Sequence, residues 1–125
     1  LIKKIHNAKI NGDEEIVLWG TGNVMREFIY IDDLVKGVIH ILENYKDNTP
    51  INLGSEEEIS IRELADMISS IIGYKGHIKF DSSKPDGMKK KLLDSSKVKS
   101  LGWVCETSII DGIKKTYEYY LQISK

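Results

Sequence analysis

Residues 19–34 read WGTGNVMREFIYIDDL, and the order of events along them is that of an α/β chain. Gly20 and Gly22 mark a tight turn after the apolar run at 15–19, EIVLW. Alternating strand formers, Phe28 and Tyr30, follow Arg26 and predict a strand over 26–31. Asp32-Asp33 then forms a helix N-cap pair. Arg26 is the residue of chemical interest, because a guanidinium grips phosphate oxygens through two parallel hydrogen bonds. On spacing alone, the same residues also describe a hairpin bearing a surface arginine.

Working outward, residues 1–9 read as an amphipathic helix, with Leu1, Ile2 and Ile5 between lysines. Over 33–43 the apolar positions Leu34, Val35, Val38, Ile39, Ile41 and Leu42 cover well over one face, which predicts burial on two sides. Pro50 to Gly54 reads as a short strand. Ser60-Ile61-Arg62-Glu63 is a capping box that starts a helix ended by Gly73. His77 to Phe80 reads as a strand and 81–91 as a polar loop. Asp94 or Ser95 opens a short helix stopped by Gly102, with Trp103 as a core anchor. Ser108 starts the last helix, whose stripe is Ile109, Ile113, Tyr117, Tyr120 and Leu121. No internal repeat or linker divides the chain.

Composition narrows the function classes. Eighteen basic residues against 19 acidic ones give a net charge of −1, without the basic excess of a nucleic-acid binder. The single cysteine, Cys105, excludes an internal disulfide and suits a reducing cytosol. No apolar run approaches the roughly 20 residues that span a bilayer as a helix. His6, His40 and His77 lack metal-ligand spacing, so no metal site is expected. Asp32 and Asp33 read as caps rather than a catalytic pair. The chain opens at Leu1, inside a helix and without an initiator methionine, as a fragment would.

A second motif, KPDGMKKKLLDSSKVKSLGW (84–103), gives the first its context. Together they resemble the C-terminal part of the extended short-chain dehydrogenases/reductases, the NAD-dependent epimerase/dehydratase family that acts on nucleotide sugars. W-G-T-G-x-x-x-R-E-F-I-Y-x-D-D-L is widespread in that family, whereas P-D-G-x-x-x-K-L-L-D followed by L-G-W is similar to its fucose-synthase branch. The resemblance covers essentially all 125 residues. It implies an α/β C-terminal substrate-binding lobe with most of the Rossmann domain absent. Residues 33–54 are then expected to pack on that missing domain.

It also implies an NADPH-dependent 3,5-epimerase/4-reductase acting on a GDP-sugar, working as a cytoplasmic homodimer. This chain would supply substrate contacts rather than catalysis. Arg26 and Lys91 would face the phosphates, while Trp19 and Asp86 orient the nucleoside or sugar. Lys4 falls where the family usually has an arginine, fifteen residues before Trp19; a lysine supplies charge but not the bidentate fork. Lys89 replaces a common proline, which leaves open which of Lys89, Lys90 and Lys91 turns toward ligand.

The family's catalytic Tyr-x-x-x-Lys pair is missing, since none of the six tyrosines has a lysine four positions on. Its cofactor fingerprint is missing too. Gly20 and Gly22 begin like G-x-G-x-x-G, but Met25 takes the third place and a strand follows, so no cofactor-binding or catalytic residue is expected here. A non-catalytic binding or assembly module, or another nucleotide-sugar epimerase or reductase, is the alternative reading.

Overall fold

The computed structural model describes residues 1–124. Its elements in order are α1 (Ile2–Asn11), β1 (Glu15–Trp19), β2 (Met25–Glu27), α2 (Ile31–Asn44), β3 (Glu58–Ser60), α3 (Ile61–Ile72), β4 (His77–Asp81), β5 (Lys90–Lys91), α4 (Ser96–Ser100) and α5 (Ile109–Ile123). β1 and β4 form a parallel pair, with Glu15 opposite His77 and Trp19 opposite Asp81. A second sheet runs β3-β2-β5, antiparallel on one side of β2 and parallel on the other.

α3 organises the core. Ser60 accepts from the Glu63 backbone N–H while the Glu63 carboxylate reaches back to Ser60 N, and Gly73 closes the helix in the left-handed region at φ 73°. That reciprocal cap satisfies two orphan donors and fixes the entry of the chain. The apolar stripe Leu64, Ile68 and Ile72 then meets Ile5 and Ala8 of α1, Ile16 of β1, Ile59 of β3 and Ile113 of α5. α5 starts as the sequence indicates, with Ser108 accepting from Asp111 N.

α2 belongs to a smaller unit. Gly37 is buried where an added Cβ would lie 2.7 Å from Leu53 and 2.9 Å from the Trp103 ring. Trp103 is therefore the anchor that its place after Gly102 suggested, with Val98 of α4 fully buried nearby in sequence. His40 Nε2 lies 2.7 Å from the Leu101 carbonyl oxygen, tying α2 to the end of α4.

Several local expectations need correction. β2 ends at Glu27 rather than reaching residue 31, because β3 offers partners only to Met25, Arg26 and Glu27. α2 begins at Ile31, its N-cap is Tyr30 without a side-chain cap bond, and Asp32 and Asp33 sit in its first turn. Asp33 is no cap. It is 2% exposed and accepts from Glu106 N at 3.1 Å, Thr107 N at 2.6 Å and the Cys105 thiol at 3.3 Å. Residues 50–54 form no strand, the short strand β3 has no counterpart in the sequence reading, and the loop after β4 carries β5. Only one side of α2 is covered: Ile31, Val35, Ile39 and Leu42 are exposed by 49–77%.

Candidate functional site

The site is assembled at the C-terminal end of β1. Trp19 ends that strand with 76% of its surface exposed, and Gly20 N–H donates to the Asp81 carbonyl across the sheet at 3.0 Å. The chain then turns through Gly20 and Gly22, at φ 84° and 79°, a region where only glycine sits without strain. At Gly22 an added Cβ would also lie 2.6 Å from the Phe80 ring.

The start of α3 braces this turn from behind. Arg62 donates its backbone N–H to the Gly22 carbonyl at 2.9 Å. Its guanidinium donates to the Thr21 carbonyl at 2.7 Å and lies 4.1 Å over the Phe80 ring centroid. The best-packed helix thus holds the turn in place.

Asp86 reaches the same turn from the loop after β4. Its carboxylate accepts from Thr21 N at 2.8 Å and from Thr21 Oγ1 at 2.6 Å. The Thr21 hydroxyl, then its N–H, hold this carboxyl below the usual aspartate range. Gly20 is as necessary here as Gly22, because a side chain would overlap the Asp86 carboxylate. Two residues earlier, the Lys84 ammonium lies 5.7 Å from the Trp19 ring centroid. Asp86 therefore fixes the wall on which Trp19 stands, and its other lone pairs stay available.

Arg26 and Lys91 stand opposite each other in the parallel β2–β5 pair. The guanidinium donates through Nη1 to the Met25 carbonyl at 2.6 Å, and Nη2 borders Gly87, 3.3 Å from where a Cβ would lie. Lys90 is committed elsewhere, to Glu58 Oε2 at 2.7 Å, and Lys89 accepts from Met25 N through its carbonyl. Among the described residues neither Arg26 nor Lys91 has an acidic partner. Both line a recess of about 680 Å³ with Glu27, Gly54, Met88 and Leu93.

Of the five sequence-derived site residues, Asp86 meets the turn that follows Trp19, Arg26 and Lys91 pair across β2–β5, and Gly87 beside Asp86 borders the Arg26 guanidinium. Lys4 does not join them. Its ammonium donates to the Val17 carbonyl at 2.5 Å, so its charge sits on the flank of β1. The sequence reading missed Thr21, Arg62 and Lys84, whose roles depend on contacts across 41 to 65 residues.

A separate apolar groove of about 770 Å³ lies between α1, α3 and α5, lined by Ile2, Phe28, Tyr30, Ile61, Leu64 and Ile113. Lys3 is the one charged residue among those lining it. Of the histidines, His6 Nδ1 meets the Tyr117 hydroxyl at 3.0 Å and His40 binds backbone. Cys105 is half-buried; burial and then the Asp33 carboxylate push its thiol up to about 11. A reactive thiolate needs the opposite shift.

The residues present do not fit a dinucleotide. The glycine turn leads into β2 rather than into a helix, and the α3 N-terminus behind it spends its Ile61 and Arg62 N–H groups on the Val24 and Gly22 carbonyls, so they are not open to a pyrophosphate.

Comparison with known proteins gives the chain's relatives. Residues 1–54 match the NAD dependent epimerase/dehydratase family. Among curated relatives it is 44% identical to GDP-L-fucose synthase 1 of Arabidopsis thaliana over 98% of this chain and 38% of the relative. It is 39% identical to the GDP-L-fucose synthase of Escherichia coli K12, over 98% of this chain and 41% of the relative. Among solved structures, a GDP-L-fucose synthetase from Naegleria fowleri bound to NADP superposes with a TM-score of 0.91 at 30% identity, covering 98% of this chain and 39% of that one. The chain spans about two fifths of the length of the relatives it matches.

Proposed function

We propose that this chain is the nucleotide-sugar-binding portion of an NADPH-dependent epimerase/reductase acting on GDP-4-keto-6-deoxy-mannose, as GDP-L-fucose synthases do. The observation that carries the reading is the pair Arg26 and Lys91, two cations without acidic partners set opposite each other beside the 680 Å³ recess. A recess of that size suits a nucleotide-sized ligand. The diphosphate would lie against these two side chains, with Trp19 offering an exposed indole face to the base or sugar. Asp86 would hold the turn and present its free lone pairs to a hydroxyl. Lys4 would add charge at longer range.

In this reading the chain binds and orients, and the chemistry belongs to residues outside it. Holding the remote nucleotide positions the reacting sugar, so binding at this end lowers the barrier at the other. NADPH would bind elsewhere, as the turn after β1 cannot receive it. The exposed side of α2 and the irregular 50–54 segment would pack on that other domain. The single cysteine suits the cytosolic setting of this proposal, in which the enzyme is a homodimer.

The test is made in the full-length enzyme that carries this chain. Arg26→Ala should remove a charge-assisted contact of about 1.5–3 kcal/mol, raising the KM for the GDP-sugar roughly 10- to 100-fold. Arg26→Lys should recover only part of this because the fork is lost. The KM for NADPH should stay the same, and the 125-residue chain alone should turn nothing over. An unchanged sugar KM with a lower melting temperature would show Arg26 to be structural.

A further inference from the structure

β5 is two residues long, Lys90 and Lys91, yet the placement of Lys91 opposite Arg26 depends on its register. So short a strand carries too few ladder bonds to fix its own pairing, and a slip of one residue would bring Lys90 or Leu92 to that place. Something beyond the ladder must hold it. The neighbouring residue on β2, Glu27, is placed to do so.

The half-buried Glu27 side chain spans two backbone segments. Oε2 accepts from Leu93 N at 3.0 Å, two residues past Lys91, and Oε1 accepts from Glu56 N at 2.6 Å. The second segment is itself restrained, since Glu56 is the one non-glycine residue with positive φ, at 60°, among the described residues. Its own carboxylate is also ion-paired to Lys99 of α4. Glu27 thus fastens the exit of β5 to the segment whose Leu53 and Gly54 line the recess.

Gly54 makes room for this arrangement. It is buried, and a Cβ there would overlap Glu27 Oε1. An acidic side chain beside a phosphate site is otherwise unfavourable, as like charges repel. Here each oxygen already receives a backbone N–H, and a carboxylate so bonded has its charge partly compensated.

We propose that Glu27 is a positioning residue: by bridging Leu93 and Glu56 it sets the register that brings Lys91 beside Arg26 for phosphate binding. This rests on the reading of Arg26 and Lys91 as the phosphate contacts. Two variants disturb it by different routes. Glu27→Gln keeps the shape but presents an amide N–H₂ to one of the two donors. Gly54→Ala keeps the charge but displaces the carboxylate.

The experiment measures GDP affinity by calorimetry, together with kcat and the KM values for GDP-sugar and NADPH, in the full-length enzyme. Each variant should weaken GDP binding about five- to tenfold, the loss expected of one misdirected charge-assisted contact, and raise the sugar KM in parallel. The KM for NADPH should not move. In a Lys91→Ala background the effect of Glu27→Gln should largely vanish, because the residue it positions is gone. Full additivity with Lys91→Ala, or a drop in melting temperature with GDP affinity intact, would overturn the proposal. If Arg26→Ala and Lys91→Ala themselves leave GDP affinity unchanged, the phosphate reading fails and this inference with it. If those two weaken binding and Glu27→Gln does not, only the role of Glu27 is lost.

Discussion

α3 and α2 are of similar length, twelve and fourteen residues, and both are rich in aliphatic side chains, yet they end in opposite circumstances. α3 buries Leu64, Ala65, Ile68 and Ile72 against four other elements of the same chain. α2 buries only Asp33 and Gly37, a carboxylate and a residue without a side chain. Leu34 and Ile41 are half-buried, and Ile31, Val35, Val38, Ile39 and Leu42 face outward. An apolar helical face states that something should cover it but not what, and here one helix finds its cover within the chain and the other does not.

The difference can be broken from the α3 side first. Ile68 is 3% exposed at the centre of the core, and Ile68→Ala should destabilise the chain by about 2–5 kcal/mol, through lost burial and the cavity left behind. Urea denaturation of the 125-residue chain would measure it. A loss below about 1 kcal/mol would mean that α3 is no better packed than α2.

The next effect concerns what holds α2 in place. Asp33→Ala would strand the Glu106 and Thr107 N–H groups, at about 1–3 kcal/mol for each donor left buried and unpaired. Faster hydrogen exchange at those two amides would confirm the site of the loss. Burial alone would raise the pKa of Asp33, but bonds from Thr107, Cys105 and Glu106 outweigh it and hold the carboxyl below the ordinary 3.8. A depressed folded value means that this stability is fully present above the unfolded pKa and is lost as pH falls through the folded one. Asp33→Asn should therefore flatten the acid limb of the stability curve below about pH 4. An unaltered limb would assign that pH dependence to other carboxylates.

The smallest effect on stability should come from the exposed face. Leu42 is 77% exposed, so Leu42→Lys should change the stability of this chain by less than about 0.5 kcal/mol. Yet it should reduce self-association in sedimentation experiments, because an uncovered apolar patch drives assembly. In a longer protein that carries this chain, the same change should be costly if another domain covers that face.

Elements with local punctuation are legible in the amino-acid sequence alone. The Ser60–Glu63 capping box, the Gly73 stop, the Ser108 start and the β1 strand all carry their signals within a few residues, and all lie where those signals point. Asp33 reads wrongly as a cap because the N–H groups it serves lie 73 and 74 residues away. Residues 50–54 form no strand because a strand needs a partner, and among the described residues none pairs with them. At the candidate site the family resemblance brings Trp19, Arg26, Asp86 and Lys91 into view. It says nothing of Arg62 behind the turn or Glu27 beneath the basic strand, as neither position carries a local signal of its tertiary contact. The three consecutive lysines can be told apart only by their partners: Lys90 is neutralised by Glu58, whereas Lys91 faces Arg26.

The bond between Thr21 and Asp86 closes a span of 65 residues, with β2, α2, β3, α3 and β4 all lying inside it. Closing so long a span costs loop-closure entropy, and contacts of this kind slow folding. The two walls that hold Trp19 and Lys84 therefore need the whole span in place, and a partly folded chain does not present them together. Any ligand that bridges those walls binds the native state alone, so its concentration in the cell sets part of the stability of the lobe by mass action.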